Sequence, residues 1–222
     1  MENKKLRTFL ILLAVTVVFS VLVIAVDKAP IGPHSTVVGF SHLNGAMAKL
    51  IGTHMALYKI TNILGYLAIL VCLWFGFMGA MQLYNGKSLK KVDANIIALG
   101  VLYVITIALY VIFEKVEVNY RPIVMPGETL PEASFPSSHT MLALVVFGSA
   151  PSVFRRYVKD KGLMQAITIG FYALAIITVV GRLLSGVHWF TDIIAGALIS
   201  ATLLAGFFYA LDLIKAARRK NK

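Results

Sequence analysis

Six apolar stretches, each about as long as a membrane-crossing helix, dominate this sequence of 222 residues. Roughly 20 apolar residues cross a bilayer as a helix, because in lipid every backbone hydrogen bond must be closed within the segment. The stretches cover residues 8–26, 60–84, 94–113, 137–154, 163–181 and 191–211. The first five contain no Asp, Glu, Lys or Arg. The sequence therefore predicts an all-α fold, a bundle of six transmembrane helices that forms a single domain over residues 1–222.

The composition agrees with an integral membrane protein and excludes most soluble classes. Charged residues make up 14% of the chain and the mean hydropathy is +0.82, whereas soluble domains carry roughly 25% charged residues. The net charge of +11 alone would suit a nucleic-acid-binding protein, but such a protein would not be this apolar. We therefore predict no nucleic-acid partner. The single Cys72 excludes an intramolecular disulfide bond.

The positions of the cationic residues predict the orientation of the bundle. Fifteen of the 21 Lys and Arg residues lie at the two chain ends and in the turns 84–94 and 154–163. Because Lys and Arg concentrate in cytoplasmic loops, both termini are expected to be cytoplasmic. The loops after the third and fifth spans then share the outer side. The charge excess thus reports mainly topology, with a weak affinity for anionic membrane lipids.

The first predicted outer loop covers residues 27–58. Apolar residues between 38 and 50 recur there at near-helical spacing, which indicates either an interfacial helix on the outer leaflet or an ordinary packed loop. The three histidines of this loop, His34, His42 and His54, are scattered and lack a carboxylate-rich setting, so the sequence predicts no metal site and no cofactor. No A-x-A cleavage site follows the first span near Asp27, so that span is interpreted as a retained anchor.

Two further outer loops, residues 114–139 and 181–192, hold most of the unusual polar residues. Ionisable groups at helix ends inside a membrane bundle are costly, so they are candidates for a functional site. The two loops bring two arginines, two histidines and one aspartate to one membrane face. These residues are Arg121, His139, Arg182, His188 and Asp192.

His188 and Asp192 are four residues apart, so on a helix their side chains lie on the same face. A carboxylate there would fix the imidazole tautomer and stabilise the imidazolium, which leaves the other ring nitrogen free to attack. The alternative is a hydrogen-bonded cap at the start of the sixth span.

The fourth span begins at a candidate anion-binding position in the sequence Pro-Ser-Ser-His. Ser137 and Ser138 are good capping residues, and a helix amino terminus offers free N–H groups to an anion. His139 would then stand beside a bound phosphate as a proton donor. Arg121 and Arg182 have the forked donors that suit phosphoryl oxygens. Taken singly, these residues could be a helix cap and lipid anchors; together they predict an anion site with a nucleophile and an acid.

These segments resemble the three-part signature of the type-2 phosphatidic acid phosphatase family, whose pattern is K-x6-R-P, then P-S-G-H, then S-R-x5-H-x3-D. The matching residues are Arg121-Pro122, Pro136-Ser137-Ser138-His139 and Arg182-x5-His188-x3-Asp192. The resemblance implies a metal-independent lipid phosphatase or pyrophosphatase. It implies that His188, held by Asp192, attacks phosphorus to form a phosphohistidine, and that His139 protonates the leaving oxygen.

The chain departs from the family pattern at three positions. Glu114 occupies the place of the family lysine, and Lys115 lies one residue closer to Arg121. This shift rotates the side chain by about 100° on a helix, so Lys115 replaces that lysine only if the backbone is irregular. Ser138 replaces the family glycine and Gly181 replaces the family serine. The phosphate-binding set implied by the resemblance is Arg121, Arg182, Ser137, Ser138 and Lys115.

The predicted position of the site at head-group level favours a lipid phosphate as the substrate. Candidates are undecaprenyl pyrophosphate, which we favour, phosphatidylglycerophosphate and phosphatidate, in a bacterial plasma membrane with the site facing outward. The rival interpretation is a non-catalytic lipid-phosphate binding or lipid-transport protein that keeps the anion site. Retention of both histidines and of Asp192 argues against it, because binding alone does not require them. The sequence makes no prediction of the oligomeric state.

Overall fold

The computed structural model describes residues 2–220, and within that range it is built from α-helices and short 3-10 turns, with no β-strand. The prediction of an all-α fold is thus confirmed. The helices are α1 (Glu2–Ala25), α2 (Ser41–Ile51), α3 (Met55–Gly86), α4 (Ala94–Lys115), α5 (Ser138–Phe154), α6 (Lys161–Leu184) and α7 (Phe190–Lys220). Two 3-10 turns, Pro33–Ser35 and Leu89–Lys91, lie between them.

Five of these helices are long and apolar enough to cross a membrane: α1, α3, α4, α6 and α7. Each coincides with a predicted span. The fourth predicted span corresponds to α5, which is apolar but has only 17 residues. At a rise of 1.5 Å per residue α5 is about 26 Å long, just under the ~30 Å hydrocarbon core of a bilayer. A multi-pass membrane protein is therefore supported, and the count of six spans stays a proposal.

The short helix α5 occupies the centre of the bundle and packs against α3, α4, α6 and α7. Its side chains Val145, Val146 and Phe147 are fully buried in the main apolar cluster, together with Leu99 of α4. The long helices instead expose large apolar side chains on their outer faces, as at Leu70 and Ile176. Large apolar side chains on the outer faces are what a bundle in contact with lipid requires, because lipid tails solvate apolar side chains.

The two ends of the bundle carry different chemistry. At one end Lys5 of α1 pairs with Asp212 of α7 at 2.7 Å, and Arg156 pairs with Asp93 at 2.7 Å. This is the cation-rich end, where both chain ends and the turns α3–α4 and α5–α6 meet. The opposite end holds the loops α1–α2, α4–α5 and α6–α7, so the three segments that match the family signature all lie at that end.

Of the two alternatives for residues 38–50, the structure has a helix, α2, which begins at Ser41; its position at the membrane interface stays a prediction. Its first turn is capped by Asp27, whose carboxylate accepts hydrogen bonds from Ser41 Oγ at 2.9 Å and from the backbone N–H of His42 at 2.9 Å. A carboxylate at a helix amino terminus is favoured by the helix dipole. These hydrogen bonds from His42 are the main reason why the pKa of Asp27 is lowered.

Candidate active site

A cavity of about 370 Å³ opens among α3, α4, the start of α5 and the two motif loops. Four of the predicted site residues line it: Arg121, Ser138, His139 and His188. The wall also contains two carboxylates, Glu114 and Glu132, and an apolar part that includes Phe113, Phe135 and Met141. The cavity thus combines ionisable groups with a surface that suits an acyl or prenyl chain.

The motif loops lie close together because hydrogen bonds to backbone carbonyls connect them. The indole N–H of Trp189 donates to the carbonyl of Tyr120 at 2.6 Å, which joins the α6–α7 loop to the α4–α5 loop. The backbone N–H of Ser137 donates to the carbonyl of Asp192 at 3.0 Å, which joins the start of α5 to the start of α7. The amino termini of α5 and α7 therefore both lie beside this cavity.

The imidazole of His188 is buried and held from behind by a backbone carbonyl. Its Nδ1 lies 3.1 Å from the carbonyl oxygen of Ser134 and 3.8 Å from Asp192 Oδ2. A carbonyl can only accept a hydrogen bond, so Nδ1 carries the proton and Nε2 presents a lone pair. The carboxylate is beyond hydrogen-bond distance in this state, so it acts on the imidazole through charge.

His188 is also held in the neutral form that a nucleophile needs. Burial, followed by the positive charges of Arg121 and then Arg182, places the pKa of His188 well below its usual 6.5. Desolvation disfavours the imidazolium, and nearby cations disfavour it further. At neutral pH the Nε2 lone pair is therefore available.

The carboxylate of Asp192 is fully buried in a network of its own. Its Oδ2 accepts the backbone N–H of Trp189 at 3.0 Å, and its Oδ1 accepts Nδ2 of Asn119 at 3.3 Å. The first of these bonds caps α7. The predicted cap and the predicted partner of the histidine are thus the same residue, because the carboxylate that caps the helix also lies beside the imidazole.

Arg121 lies directly beside Nε2 of His188, the predicted nucleophilic nitrogen. Its Nη1 is 3.5 Å from Nε2 of His188 and donates to the carbonyl of Val187 at 3.3 Å. Its Nε donates to Glu132 at 2.8 Å, which fixes the plane of the guanidinium. Five N–H donors in a rigid fork leave further donors for an anion held next to the nucleophile.

Arg182 is fully buried at the end of α6, yet most of its donors have no partner. Nη1 donates to Thr61 Oγ1 at 3.3 Å, and the guanidinium lies over the ring of Tyr58 at 4.9 Å. Nε and Nη2 lack a hydrogen-bond partner, and so does the buried hydroxyl of Ser137. Buried donors without partners are costly, so these are the donors that a bound anion would satisfy.

His139 faces the cavity from the first turn of α5. It lines the cavity together with Arg121 and His188. Its ring packs on Gly65 of α3: a Cβ at that position would lie 2.8 Å from Cδ2 of the imidazole. The absence of a side chain on α3 is therefore what lets the histidine occupy this place.

The structure separates Lys115 from the other predicted site residues. Helix α4 is continuous through Lys115, so no irregular backbone turns this side chain toward the cavity, and Lys115 is exposed. The residues that line the cavity in the described chain include Glu114 and not Lys115. The position of the family lysine is thus filled by a carboxylate in the cavity wall.

Metal ligation was not predicted for this site, and the described residues 2–220 contain no group of three or more His, Cys, Asp or Glu side chains that could hold a metal ion. The histidines of the cavity are instead surrounded by arginines, which suits an anion. Independence from metal stays a prediction.

Several residues that build the site were missed by the motif analysis. Ser134 contributes a backbone carbonyl, which no side-chain pattern reveals. Tyr58 and Thr61 support Arg182 from α3, a helix that the sequence presents mainly as an apolar span. The available signal was the cluster of polar residues at the start of that span, where Tyr58, Thr61 and Asn62 occur within five positions.

Comparisons with known proteins agree with this geometry. The model of the PAP2 superfamily matches residues 114–215, the segment that holds all the predicted catalytic residues. Residues 114–215 belong to the PAP2 superfamily. The family prediction is thus confirmed, and with it the prediction of a phosphatase enzyme. No match was found among curated proteins.

A solved structure shares the fold over nearly its whole length. It is described as the crystal structure of the first transmembrane PAP2 type phosphatidylglycerolphosphate phosphatase from Bacillus subtilis. The match has a TM-score of 0.60 and 18% sequence identity, and it covers 97% of this chain and 98% of the other. The similarity extends to the helices that precede residue 114, so the amino-terminal half follows the same fold.

Proposed function

We propose that this protein is a membrane lipid phosphatase that hydrolyses a phosphomonoester or pyrophosphate of a lipid through a phosphohistidine intermediate. The observation that carries the proposal is the position of the neutral Nε2 of His188, 3.5 Å from Arg121 Nη1. A nucleophile beside a phosphate-binding fork is the arrangement that in-line phosphoryl transfer needs.

In the first step Nε2 of His188 attacks phosphorus as the bond to the leaving oxygen breaks. His139 gives its proton to that oxygen, so the alcohol or phosphate leaves in neutralised form. The phosphorylated imidazole keeps its Nδ1–H on the carbonyl of Ser134. The positive charge that develops on the ring is stabilised by the carboxylate of Asp192, 3.8 Å away.

In the second step water attacks phosphorus and the P–N bond breaks. His139, now unprotonated, accepts the proton from water, which returns both histidines to their initial states. The charge on the equatorial oxygens is stabilised in both steps by Arg121, Arg182 and the Ser137 hydroxyl, with the N–H groups near Ser138. The unpartnered donors of Arg182 and Ser137 support this assignment.

A lipid is the substrate class best supported by the surroundings of the site. The cavity lies at the end of a bundle whose helices expose apolar side chains, and Phe113, Phe135 and Met141 form part of its wall. Undecaprenyl pyrophosphate, phosphatidylglycerophosphate and phosphatidate are the proposed candidates, and the fold similarity to a phosphatidylglycerolphosphate phosphatase adds support to the second. The asymmetry of Lys and Arg residues supports a site on the outer face of a bacterial plasma membrane, with six spans and both termini cytoplasmic.

The test is phosphate release from these three lipids by detergent-purified protein in excess EDTA. Wild type is compared with His188→Ala and with His42→Ala, a control histidine whose side chain is 94% exposed on α2. We expect EDTA-resistant release that is lost in His188→Ala and kept in His42→Ala. Release that survives His188→Ala would refute the histidine mechanism, and release that requires a metal would refute metal independence.

A second candidate function is lipid-phosphate binding or lipid transport without turnover. The carboxylate of Glu114 in the cavity wall favours it, because a negative charge at the position of the family lysine weakens attraction for a phosphate. No release from any of the three lipids, by folded protein that still binds inorganic phosphate, would support this function over the enzyme.

A further inference from the structure

One buried amide, outside the motifs, bridges the two groups that support the proposed nucleophile. Asn119 lies in the α4–α5 loop, two residues before Arg121, and is almost completely buried. Its Nδ2 donates to Asp192 Oδ1 at 3.3 Å. Its backbone carbonyl accepts from the N–H of Ser134 at 2.8 Å and from the Ser134 hydroxyl at 3.2 Å. Asn119 thus contacts the carboxylate beside the imidazole and the residue whose carbonyl binds the imidazole.

The same amide is anchored on its other side to the segment between α1 and α2. Its Oδ1 accepts the backbone N–H of Gly39 at 3.3 Å. Gly39 in turn lies so close to α1 that a Cβ there would stand 1.7 Å from the carbonyl oxygen of Val23. The backbone on which Asn119 rests therefore has no room to move toward α1. With its donor, its acceptor and its carbonyl all engaged, Asn119 has one orientation.

We propose that Asn119 is a positioning residue that fixes the tautomer and direction of His188. This inference rests on the proposed phosphatase function. Asn119 holds Ser134 so that its carbonyl accepts Nδ1–H, and it holds Asp192 so that the carboxylate stays 3.8 Å from the ring. The contact with Ser134 comes from the backbone carbonyl of Asn119, while the side-chain amide donates to Asp192 and at the same time accepts the backbone N–H of Gly39, which fixes the position of that carbonyl.

The chain offers a matched control for a merely structural role. Asn44 of α2 is equally buried and ties the same α1–α2 segment to α7. Its Nδ2 donates to the carbonyl of Gly39 at 2.7 Å and to Thr191 Oγ1 at 2.9 Å, and its Oδ1 accepts the N–H of Thr191 at 3.1 Å. None of these bonds reaches Asp192 or Ser134. Loss of Asn44 therefore weakens the packing of that segment and leaves the support of the imidazole in place.

The experiment compares Asn119→Ala, Asn119→Asp and Asn44→Ala by kcat, KM and thermal unfolding in detergent, with the inhibition constant of inorganic phosphate as a measure of anion binding. The aspartate variant keeps the size of the side chain and the acceptor for Gly39, and it replaces the donor to Asp192 by a second carboxylate. It therefore tests the inference even where the alanine variant fails to fold.

We expect both Asn119 variants to lose about 10- to 100-fold in kcat, the effect of one lost hydrogen bond to a buried charge. Their KM and their inhibition constants for phosphate should stay within about threefold of wild type, because the arginine donors are not touched. Asn44→Ala should lose thermal stability and keep kcat within about threefold.

Wild-type kcat in Asn119→Asp would overturn the inference, as would a loss in Asn44→Ala as large as in the Asn119 variants. A loss of phosphate binding parallel to the loss of kcat would also overturn it, because it would indicate general damage to the site. The failure of the proposed function itself is recognised separately, since wild type would then release no phosphate.

Discussion

Replacing Thr61 by valine tests whether a hydroxyl on α3 holds the guanidinium of Arg182 in place for the proposed phosphate site. Thr61 Oγ1 accepts the Nη1–H of Arg182 at 3.3 Å and donates its own proton to backbone carbonyls one turn earlier. Valine keeps the branched shape and replaces only the hydroxyl by a methyl group. In the variant the ring of Tyr58 is the remaining described partner of a guanidinium whose Nε and Nη2 are already unpartnered.

The magnitude follows from the charge and burial of this contact. A hydrogen bond to a buried charged group contributes about 1.5–3 kcal/mol. Each 1.36 kcal/mol changes a rate about tenfold, so kcat/KM should fall about 10- to 100-fold if the loss is expressed in the transition state. Without Thr61 the guanidinium of Arg182 is less well positioned for the substrate anion, so binding of the ground state also weakens and KM rises.

The assay is phosphate release from the preferred lipid, with kcat and KM separated and thermal unfolding measured in the same detergent. Thr61→Ser is the matched control, because it keeps the hydroxyl and loses the methyl; its kcat/KM should stay within about threefold of wild type. A Thr61→Val enzyme within twofold of wild type would refute the assignment. So would an equal loss in Thr61→Ser, because packing rather than the hydroxyl would then support Arg182.

Three further substitutions test other parts of the site. The pKa of His188 is held well below 6.5 by burial and the two arginines. The unfolded chain therefore binds more protons at this residue, and the free energy of unfolding falls as the pH drops below 6.5. Thermal unfolding of His188→Gln should be less sensitive to mild acid than that of wild type. Gly65→Ala places a Cβ 2.8 Å from the ring of His139 and should lower kcat by roughly tenfold or more, whereas Gly76→Ala on the same helix meets nothing within 4 Å and should have normal kcat. Gly181→Ser places a Cβ 2.6 Å from the methyl group of Thr61. It should therefore lower the melting temperature and kcat/KM together. Unchanged values would contradict this prediction, because they would show that Thr61 moves aside without cost.

The apolar pattern was sufficient to predict the helices because a membrane imposes one length on every span. It could not predict that α5 is short and central, since a buried helix and a lipid-facing helix are equally apolar. The continuous helix through Lys115 also explains a departure from the family pattern. The residue that lines the cavity is Glu114, which occupies the position of the family lysine. Lys115, one residue further along the same regular helix, is rotated by about 100° from that position.

The motif pattern was sufficient to predict which ionisable residues would meet, because fixed spacing on helix ends constrains their directions. Arg121, His139 and His188 do line one cavity, and Asp192 lies 3.8 Å from the imidazole of His188. The direct hydrogen bond between imidazole and carboxylate, which the i,i+4 spacing favours, is replaced by one to the carbonyl of Ser134. Such a partner depends on how a loop is folded rather than on which side chain it carries.

The support of the site by residues 39 to 65 has a consequence for how this fold can be recombined. The matched segment 114–215 contains the proposed nucleophile, the proposed acid and both arginines. Outside that segment, Thr61 bonds Arg182, Gly65 makes room for His139, and Gly39 bonds Asn119. A chimera that joins this carboxyl-terminal half to the first helices of a relative would inherit the reactive groups without their scaffold. An active chimera therefore has to keep all of these contacts between the two halves.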